Sequence, residues 1–261
     1  MATKIQKELA FLRDLVSADW TEPFTNLIDK NLKFADDETI LYINAGTGNH
    51  AIAIARKLGQ YAEIAGVCED SELLKIAKAK AEAIKLEADF SCKFPDQKFD
   101  TVLADASLVK PSELDNFLTQ IIEYSANRVA FFLPTAGSFG EIFSVLWETL
   151  LDEKLVDKNV DIETLITEIP TISSLETLAE NLGLTNIKTF NSNEISEFEN
   201  GGQLVISPLV SGFFFPKWFE HLTKKEKGQV TKKLAQIIDA DDATLTFRYT
   251  VKATLVIGEK N

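Results

Sequence analysis

A short apolar strand that runs directly into a glycine turn and then into a helix constrains this chain most. The stretch covers residues 40–51 and reads ILYINAGTGNHA. Glycines suit such a turn because its backbone angles strain a residue with a Cβ and because a ligand must approach the main chain closely. The helix that follows directs its free N–H groups at the turn. The combination predicts a site for a nucleotide-like cofactor in a doubly wound α/β protein.

The same alternation of strand and helix continues along the first half of the chain. Apolar runs predict strands at 39–44, 62–68, 84–90, 99–104 and 128–133. Helical periodicity predicts helices at 49–58, 71–83 and 111–126 between them. Strands and helices at this spacing imply a parallel sheet with right-handed crossovers. Residues 3–34 carry two apolar stripes at helical spacing, which predicts a helical cap over residues 1–35.

The second half of the chain follows a different pattern. Helices are predicted at 139–151, 161–169 and 174–182, with Gly183 as a C-cap. Residues 187–198 are strand-like, and an aromatic cluster occupies residues 213–219. Thr223 and Glu226 form a capping-box pattern that opens a helix to about residue 239. Apolar residues at period two from Leu245 to Ile257 predict a long final strand.

Composition limits the function and the location. The net charge of −13 argues against a nucleic-acid binder, since phosphate contacts need Lys and Arg. We find no signal peptide and no apolar run of the roughly 18 residues that a membrane-spanning helix needs. The two cysteines, Cys68 and Cys92, indicate reduced thiols. We therefore expect a cytoplasmic protein without a membrane span.

From about residue 38 to residue 134 the chain resembles the class I S-adenosylmethionine-dependent methyltransferases. Four segments carry the resemblance in the family's order: NAGTG at 44–48, GVCEDSELLKIA at 66–77, EADF at 87–90 and FPDQKFDTVLAD at 94–105. The resemblance implies a Rossmann-like, seven-stranded, mostly parallel sheet with an antiparallel final strand. It also implies that residues 36–261 form one methyltransferase-like domain, with a helical and aromatic insertion near 200–240.

The chain departs from the family pattern at three positions. Tyr42 stands where the first strand usually carries an acid, and Asn44 replaces the first glycine. Cys68 aligns with the acid that ends the second strand and binds the ribose hydroxyls in the family. A carboxylate accepts two hydrogen bonds from a diol, whereas a thiol does this poorly. We expect Glu69, the next residue, to replace it.

The resemblance implies a cofactor site for S-adenosylmethionine and no metal. Residues of the glycine turn would lie under the amino-acid part, Cys68 and Glu69 at the ribose, Asp89 and Phe90 at the adenine, and residues 105–107 towards the substrate. The cofactor-binding residues so implied are Asn44, Ala45, Gly46, Thr47, Gly48, Cys68, Glu69, Asp89, Phe90, Asp105 and Ala106.

The predicted reaction is methyl transfer to a small molecule or a carrier-bound small molecule. Residues 134–139, with the helix that follows, are similar to family members that act on quinone precursors or carrier-bound acids. Methyl transfer is an in-line displacement, so positioning does most of the work and a general base is optional. Asp105 is the candidate catalytic residue, since open α/β sheets bind ligands at the carboxyl ends of their strands. His50 is a second candidate base, although the same residue would also serve as a helix cap or a surface residue.

Several alternatives stay open at this point. The loss of two acids also fits a non-catalytic binding or regulatory protein with this fold. Residues 46–51 match the dinucleotide pattern G-x-G-x-x-G/A, with Glu69 about 20 residues further on, so a nicotinamide cofactor is a third interpretation. The aromatic cluster is either a lid over an apolar substrate or core packing. Cys68 and Cys92 are either two small buried residues or a thiol pair at the cofactor site.

Overall fold

A computed structural model describes residues 4–58, 63–156, 162–240 and 246–260. The chain divides into two compact units. Unit 1 comprises Met1–Leu133, Thr171–Ser192 and Ala253–Asn261, and unit 2 comprises Pro134–Pro170 and Asn193–Lys252. Two residues predicted to begin strands, Ala62 and Leu245, lie outside the described residues. The predicted division into a cap over 1–35 and a domain over 36–261 stays a prediction.

Seven strands and ten α-helices make up the described residues. The strands are β1 (Thr39–Ile43), β2 (Glu63–Val67), β3 (Asp89–Ser91), β4 (Phe99–Asp105), β5 (Ser125–Pro134), β6 (Leu184–Phe198) and β7 (Phe247–Lys260). The helices are α1 (Lys4–Asn31), α2 (Asn49–Lys57), α3 (Ser71–Ala83), α4 (Leu114–Glu123), α5 (Gly140–Asp152), α6 (Ile162–Thr167), α7 (Ile172–Asn181), α8 (Gly201–Ile206), α9 (Phe215–Trp218) and α10 (Lys224–Ala240).

The strands form one sheet in the order β3-β2-β1-β4-β5-β7-β6. β1 pairs in parallel with β2 and β4, β2 with β3, and β4 with β5. The last two strands run antiparallel, as the hydrogen bond from Thr185 Oγ1 to the carbonyl of Glu259 places the start of β6 beside the end of β7. The predicted doubly wound, mostly parallel sheet is confirmed.

The core of unit 1 explains why its central strands are apolar throughout. Val102 and Phe131 are fully buried on β4 and β5, and helix α4 packs on them with Leu118 and Ile121. Strands covered by helices on both faces are expected to be continuously apolar. This packing fixes the sheet whose carboxyl edge carries the glycine turn.

Three predicted elements need correction. The strand predicted at 84–90 covers only Asp89–Ser91, because helix α3 and its C-cap extend to Ile84 and Lys85 then takes a left-handed φ of 55°. The helix predicted at 111–126 begins as a 3₁₀ turn over Pro111–Glu113, and its α-helical part ends at Glu123. The two apolar stripes predicted at 3–34 lie on a single helix, α1; the side chains of Ile5, Leu9, Leu12 and Leu15 lie outside the described residues.

Two local predictions, the capping box at 223–226 and the turn at Gly183, are confirmed. The Thr223 amide donates to Glu226 Oε2 at 2.9 Å, and the Glu226 amide donates to Thr223 Oγ1 at 3.4 Å, which is the predicted capping box ahead of α10. Gly183, one residue after the C-cap of α7, has a φ of 88°. No helix of the described residues is long and apolar enough to cross a membrane.

Unit 2 has an aromatic core of its own. Phe214, Phe215 and Phe219 are buried, and the ring of Phe214 stacks on Trp218 at 5.0 Å. Phe139 packs edge-on against both Phe214 and Trp218. The aromatic cluster at 213–219 therefore packs as core within unit 2.

Candidate functional site

The glycine turn after β1 contains three residues in the left-handed backbone region. Asn44 has φ 56°, Gly46 φ 58° and Gly48 φ 78°. Asn tolerates this region better than other residues with a Cβ, which explains how it stands in for a glycine. The Ala45 amide donates to the carbonyl of Val67 at 2.9 Å, and the Gly48 amide donates to the carbonyl of Ala45 at 2.9 Å. The turn is thus closed on itself and fixed to β2.

Gly48 and Gly66 are glycines because the ring of Phe90 fills the space beside them. A Cβ on Gly66 would lie 2.4 Å from Phe90 Cδ1, and a Cβ on Gly48 would lie 3.0 Å from Phe90 Cζ. Phe90 is 1% exposed. Its side chain therefore packs in the core beside the turn.

Glu69 reaches the glycine turn. Its Oε2 accepts a hydrogen bond from the Gly46 amide at 3.0 Å. The next residue, Asp70, instead caps α3 by accepting from the amides of Glu72 and Leu73 at 2.8 and 2.9 Å. Of the two acids that follow Cys68, Glu69 binds the glycine turn and Asp70 caps a helix.

Cys68 is a neutral, buried thiol. Burial, together with the nearby carboxylate of Glu69, raises its pKa to about 12. The Cys68 amide donates to the carbonyl of Ser91 at 2.8 Å, which ties the ends of β2 and β3 together. Cys92 is exposed, so the interpretation of two buried cysteines is wrong for this residue. A protonated thiol at position 68 lacks the two acceptor oxygens of the family's carboxylate.

Asp89 lies further from the site edge than predicted. Ser91 pairs with Val67 at the carboxyl end of β2, whereas Asp89 pairs with Ala65 and is the first residue of β3. The predicted strand over 84–90 placed Asp89 near the carboxyl end of the third strand, and this placement is wrong. Ser91 could not be predicted as the last residue of the strand because β3 has three residues, too few to show a period of two.

Asp105 and Ala106 lie at the end of β4, beside the glycine turn. Asn44 Nδ2 donates to the carbonyl of Asp105 at 2.9 Å, which joins the loop after β1 to the loop after β4. Asp105 Oδ1 accepts from the Ser107 amide at 2.8 Å, which orients the carboxylate. Ala106 is buried, and its amide donates to the carbonyl of Phe132 on β5.

Tyr42 and His50 form a buried pair below the turn. The Tyr42 hydroxyl lies 3.1 Å from His50 Nδ1, and the rings meet edge to face. Burial lowers the pKa of His50 to about 4, so the ring is neutral near pH 7. Its Nε2 is buried and lies 3.8 Å from Asp29 Oδ1, too far for a hydrogen bond. His50 therefore neither caps the helix by its side chain nor faces solvent, and this pair was missed from sequence.

A polar cluster that the sequence analysis did not single out links α1 to the turn. Asp14 Oδ1 accepts from Thr47 Oγ1 at 2.6 Å, from Asn49 Nδ2 at 3.3 Å and from the ammonium of Lys80. Lys80 also donates to Asn49 Oδ1 at 2.8 Å. Residues 31 or more positions apart along the chain make these contacts, so no local pattern could reveal them.

The parallel register brings most of the predicted residues to one edge of unit 1. Ile43 of β1 pairs with Val67 of β2, and Val67 pairs with Ser91 of β3. On the other side of β1, Ile43 pairs with Ala104 of β4. Residues 44–48, 68–69 and 105–106 follow these positions. Among the described residues no group of His, Cys, Asp and Glu side chains is arranged to hold a metal ion.

Residues 41–123 match a protein family described as a methyltransferase domain. No curated protein matches the sequence. Among solved structures, YcgJ from Bacillus subtilis is similar at a TM-score of 0.57 and 16% identity, over 91% of this chain and 97% of that one. A putative methyltransferase from Bacillus halodurans is similar at a TM-score of 0.54 and 14% identity, over 90% of this chain and 98% of that one. Phosphoethanolamine N-methyltransferase 2 from Haemonchus contortus, solved with S-adenosyl-L-methionine, gives 0.55 and 12%, over 97% of this chain and 57% of that one.

Proposed function

We propose, from the Rossmann-like fold and the match of residues 41–123 to a methyltransferase domain, that the protein is an S-adenosylmethionine-dependent methyltransferase. Its acceptor is a small molecule, free or bound to a carrier. One observation carries the proposal: the carboxylate of Glu69 lies 3.0 Å from the Gly46 amide. An acid is thus available at the end of β2, although the usual position holds Cys68.

The residues of unit 1 fit such a cofactor. The glycine turn, with its left-handed Gly46 and Gly48, lets a ligand approach the main chain, and Glu69 supplies two oxygens to a ribose diol. When bound, S-adenosylmethionine supplies a methyl group on a sulfonium centre. The adenine contact of Asp89 stays a prediction, which its position two residues before the end of β3 weakens.

Asp105 is the residue we assign to the acceptor side. It is the last residue of β4, next to the turn, and the Ser107 amide orients its carboxylate. A fixed carboxylate there orients an acceptor and takes up its proton, while the rate gain comes from holding acceptor and methyl in line. His50 is a weaker candidate, since its pKa of about 4 makes the ring a poor base.

A second candidate function is a non-catalytic binding protein with this fold. Two observations favour it: Tyr42 and His50 are joined to each other below the turn, and Cys68 is a protonated thiol. The Tyr42 hydroxyl and the Cys68 thiol do not replace the missing carboxylates as hydrogen-bond acceptors. The dinucleotide pattern at 46–51 keeps a nicotinamide cofactor as the third and weakest candidate.

Composition supports the remaining parts of the proposal. The net charge of −13 argues against nucleic acid as the acceptor. Both cysteines are free, which fits a reducing compartment such as the cytoplasm.

Calorimetric titration of the purified protein with S-adenosylmethionine, S-adenosylhomocysteine and NAD tests the function. The proposal predicts micromolar binding of the first two and none of NAD. Absence of binding for all three contradicts it and favours the non-catalytic protein. Binding of NAD alone favours the nicotinamide-dependent enzyme.

A further inference from the structure

Helix α10 buries one face and exposes a stripe of lysine and glycine on another. Val230 and Leu234 are fully buried in unit 2, where α5 and α8 pack on α10. Lys224, Gly228 and Lys232 are exposed, and because they are spaced by four residues they lie along one face of the helix. This stripe is therefore a surface feature of unit 2.

The positive charge of this face has no counterpart within the chain. Lys224, Lys225 and Lys232 form no ion pair with any residue in the described ranges, although the chain carries 40 acidic residues. Glu226, the one acid between positions 222 and 238, accepts hydrogen bonds from the amide and hydroxyl of Thr223 instead. A local excess of positive charge thus remains on a chain whose net charge is −13.

The lysines also stand where a helix favours acids. The first four residues of α10 include Lys224, Lys225 and Lys227. The amino end of a helix carries the positive end of its dipole, so cations there are unfavourable and anions are favourable. An anionic partner would remove this repulsion, because both the ammonium groups and the helix end attract it.

Gly228 has no packing role within unit 2. A Cβ added to it meets no described atom within 4 Å, and its backbone is not left-handed. Gly201 differs, since a Cβ there would lie 2.4 Å from the carbonyl oxygen of Ala235, so α8 needs that glycine to approach α10. Glycine inside a helix is unfavourable relative to alanine. Gly228 leaves the main chain of α10 open between the lysines, as a closely packed partner requires.

The chemistry of this face favours an acidic protein helix over a membrane or a nucleic acid. Phe215 and Phe219, just ahead of α10, are buried and do not serve as aromatic anchors in a lipid surface. Residues 222–238 contain five lysines and no arginine, the residue that grips phosphates with two hydrogen bonds. Carboxylates on a helix match the lysines in charge, and a helix fits a close approach at Gly228.

We propose that Lys224, Lys225 and Lys232, with Gly228 between them, form a docking surface for an acidic helix of a partner protein. The partner helix crosses α10 at Gly228, and its carboxylates pair with the lysines on either side. Docking needs neither a cofactor nor an acceptor, so its test is independent of the proposed function.

A labelled peptide tests the docking surface in the full-length protein. The probe is a helical peptide of about 20 residues made of Ala and Glu, and fluorescence anisotropy gives its dissociation constant at about 50 mM and about 300 mM NaCl. We expect salt to weaken binding, and the triple variant Lys224→Gln, Lys225→Gln, Lys232→Gln to bind at least about fivefold more weakly at low salt. The control variant changes three exposed lysines of unit 1 to Gln: Lys30, Lys98 and Lys188. It should keep the wild-type affinity; equal weakening in both variants, or no binding to the wild type, overturns the proposal.

Gly228→Gln tests the close contact. Glutamine is a better helix former than glycine and has room here, so urea unfolding should show a variant at least as stable as the wild type. The added side chain blocks the approach of a helix, so the peptide should bind at least about threefold more weakly, and Gly228→Ala should have a smaller effect. Unchanged peptide affinity in Gly228→Gln overturns the close contact.

Vesicles test the alternative occupant of the same face. Vesicles of phosphatidylserine and phosphatidylcholine in about equal amounts present an anionic surface without a helix. The proposal predicts that the wild-type protein binds the peptide more tightly than these vesicles. Tighter binding to the vesicles, lost in the triple lysine variant, assigns the face to a membrane and overturns the proposal.

Discussion

At the scale of single residues, the turn after β1 keeps a left-handed backbone although a residue with a side chain, Asn44, stands at its first position. Asn44 takes a left-handed conformation that a glycine usually holds, and its amide then joins the turn to Asp105. Glu69 reaches the turn from the position after Cys68. The turn was predictable from sequence because glycines constrain the backbone locally. The hydrogen-bond partners of Asn44 and Glu69 could not be predicted from sequence, because they depend on how separate strands align.

The contact between Gly66 and Phe90 gives a stability prediction. Gly66→Ala places a Cβ 2.4 Å from the buried ring, so the free energy of unfolding should fall by about 2 kcal/mol. Adding Phe90→Leu should recover part of that loss, since the smaller side chain leaves room. Gly140→Ala is the control, as no atom lies within 4 Å of its added Cβ, and it should change stability by less than about 0.5 kcal/mol. Urea unfolding measures all four proteins; equal losses for Gly66→Ala and Gly140→Ala would contradict the packing account.

At the scale of elements, the strands and helices could be predicted where the element is long enough to show a period. The prediction failed where the element is short. The helix over 71–83 has the predicted bounds because Asp70 caps it and its apolar residues repeat at helical spacing. β3 has only three residues, too few to show a period of two. Helix α1 was predictable as helical, but its contacts with the glycine turn join residues far apart in the chain.

The junction of α1, β1 and α2 gives a prediction on pH. His50 has a folded-state pKa of about 4, below its ordinary 6.5, so the unfolded chain binds a proton that the folded chain refuses. Stability should therefore fall as the pH drops from 6.5 to 4, by about 3 kcal/mol from this residue. His50→Gln removes that dependence and keeps an acceptor for Tyr42. Urea unfolding at pH 7 and pH 4 should show a smaller loss for the variant; parallel losses would contradict the burial of a neutral His50.

At the scale of the whole molecule, the α/β fold followed from the alternation of strands and helices, and the sheet order agrees with the resemblance over residues 38–134. The division into two units could not be predicted from the sequence pattern, because unit 2 is assembled from two separate stretches of chain. The match to a methyltransferase domain covers residues 41–123, within unit 1. Unit 2 has an aromatic core of its own, around Phe139 and Trp218.

We propose that unit 1 binds S-adenosylmethionine at the glycine turn, with Glu69 in place of the missing acid. The most direct test is calorimetric titration of S-adenosylhomocysteine into Glu69→Gln and into Glu82→Gln, an exposed acid on α3 that serves as the control. Loss of a charged acceptor for the ribose predicts at least about a tenfold weaker affinity for Glu69→Gln, and an unchanged affinity for Glu82→Gln. Equal affinity in both variants and the wild type would contradict the claim that Glu69 holds the ribose.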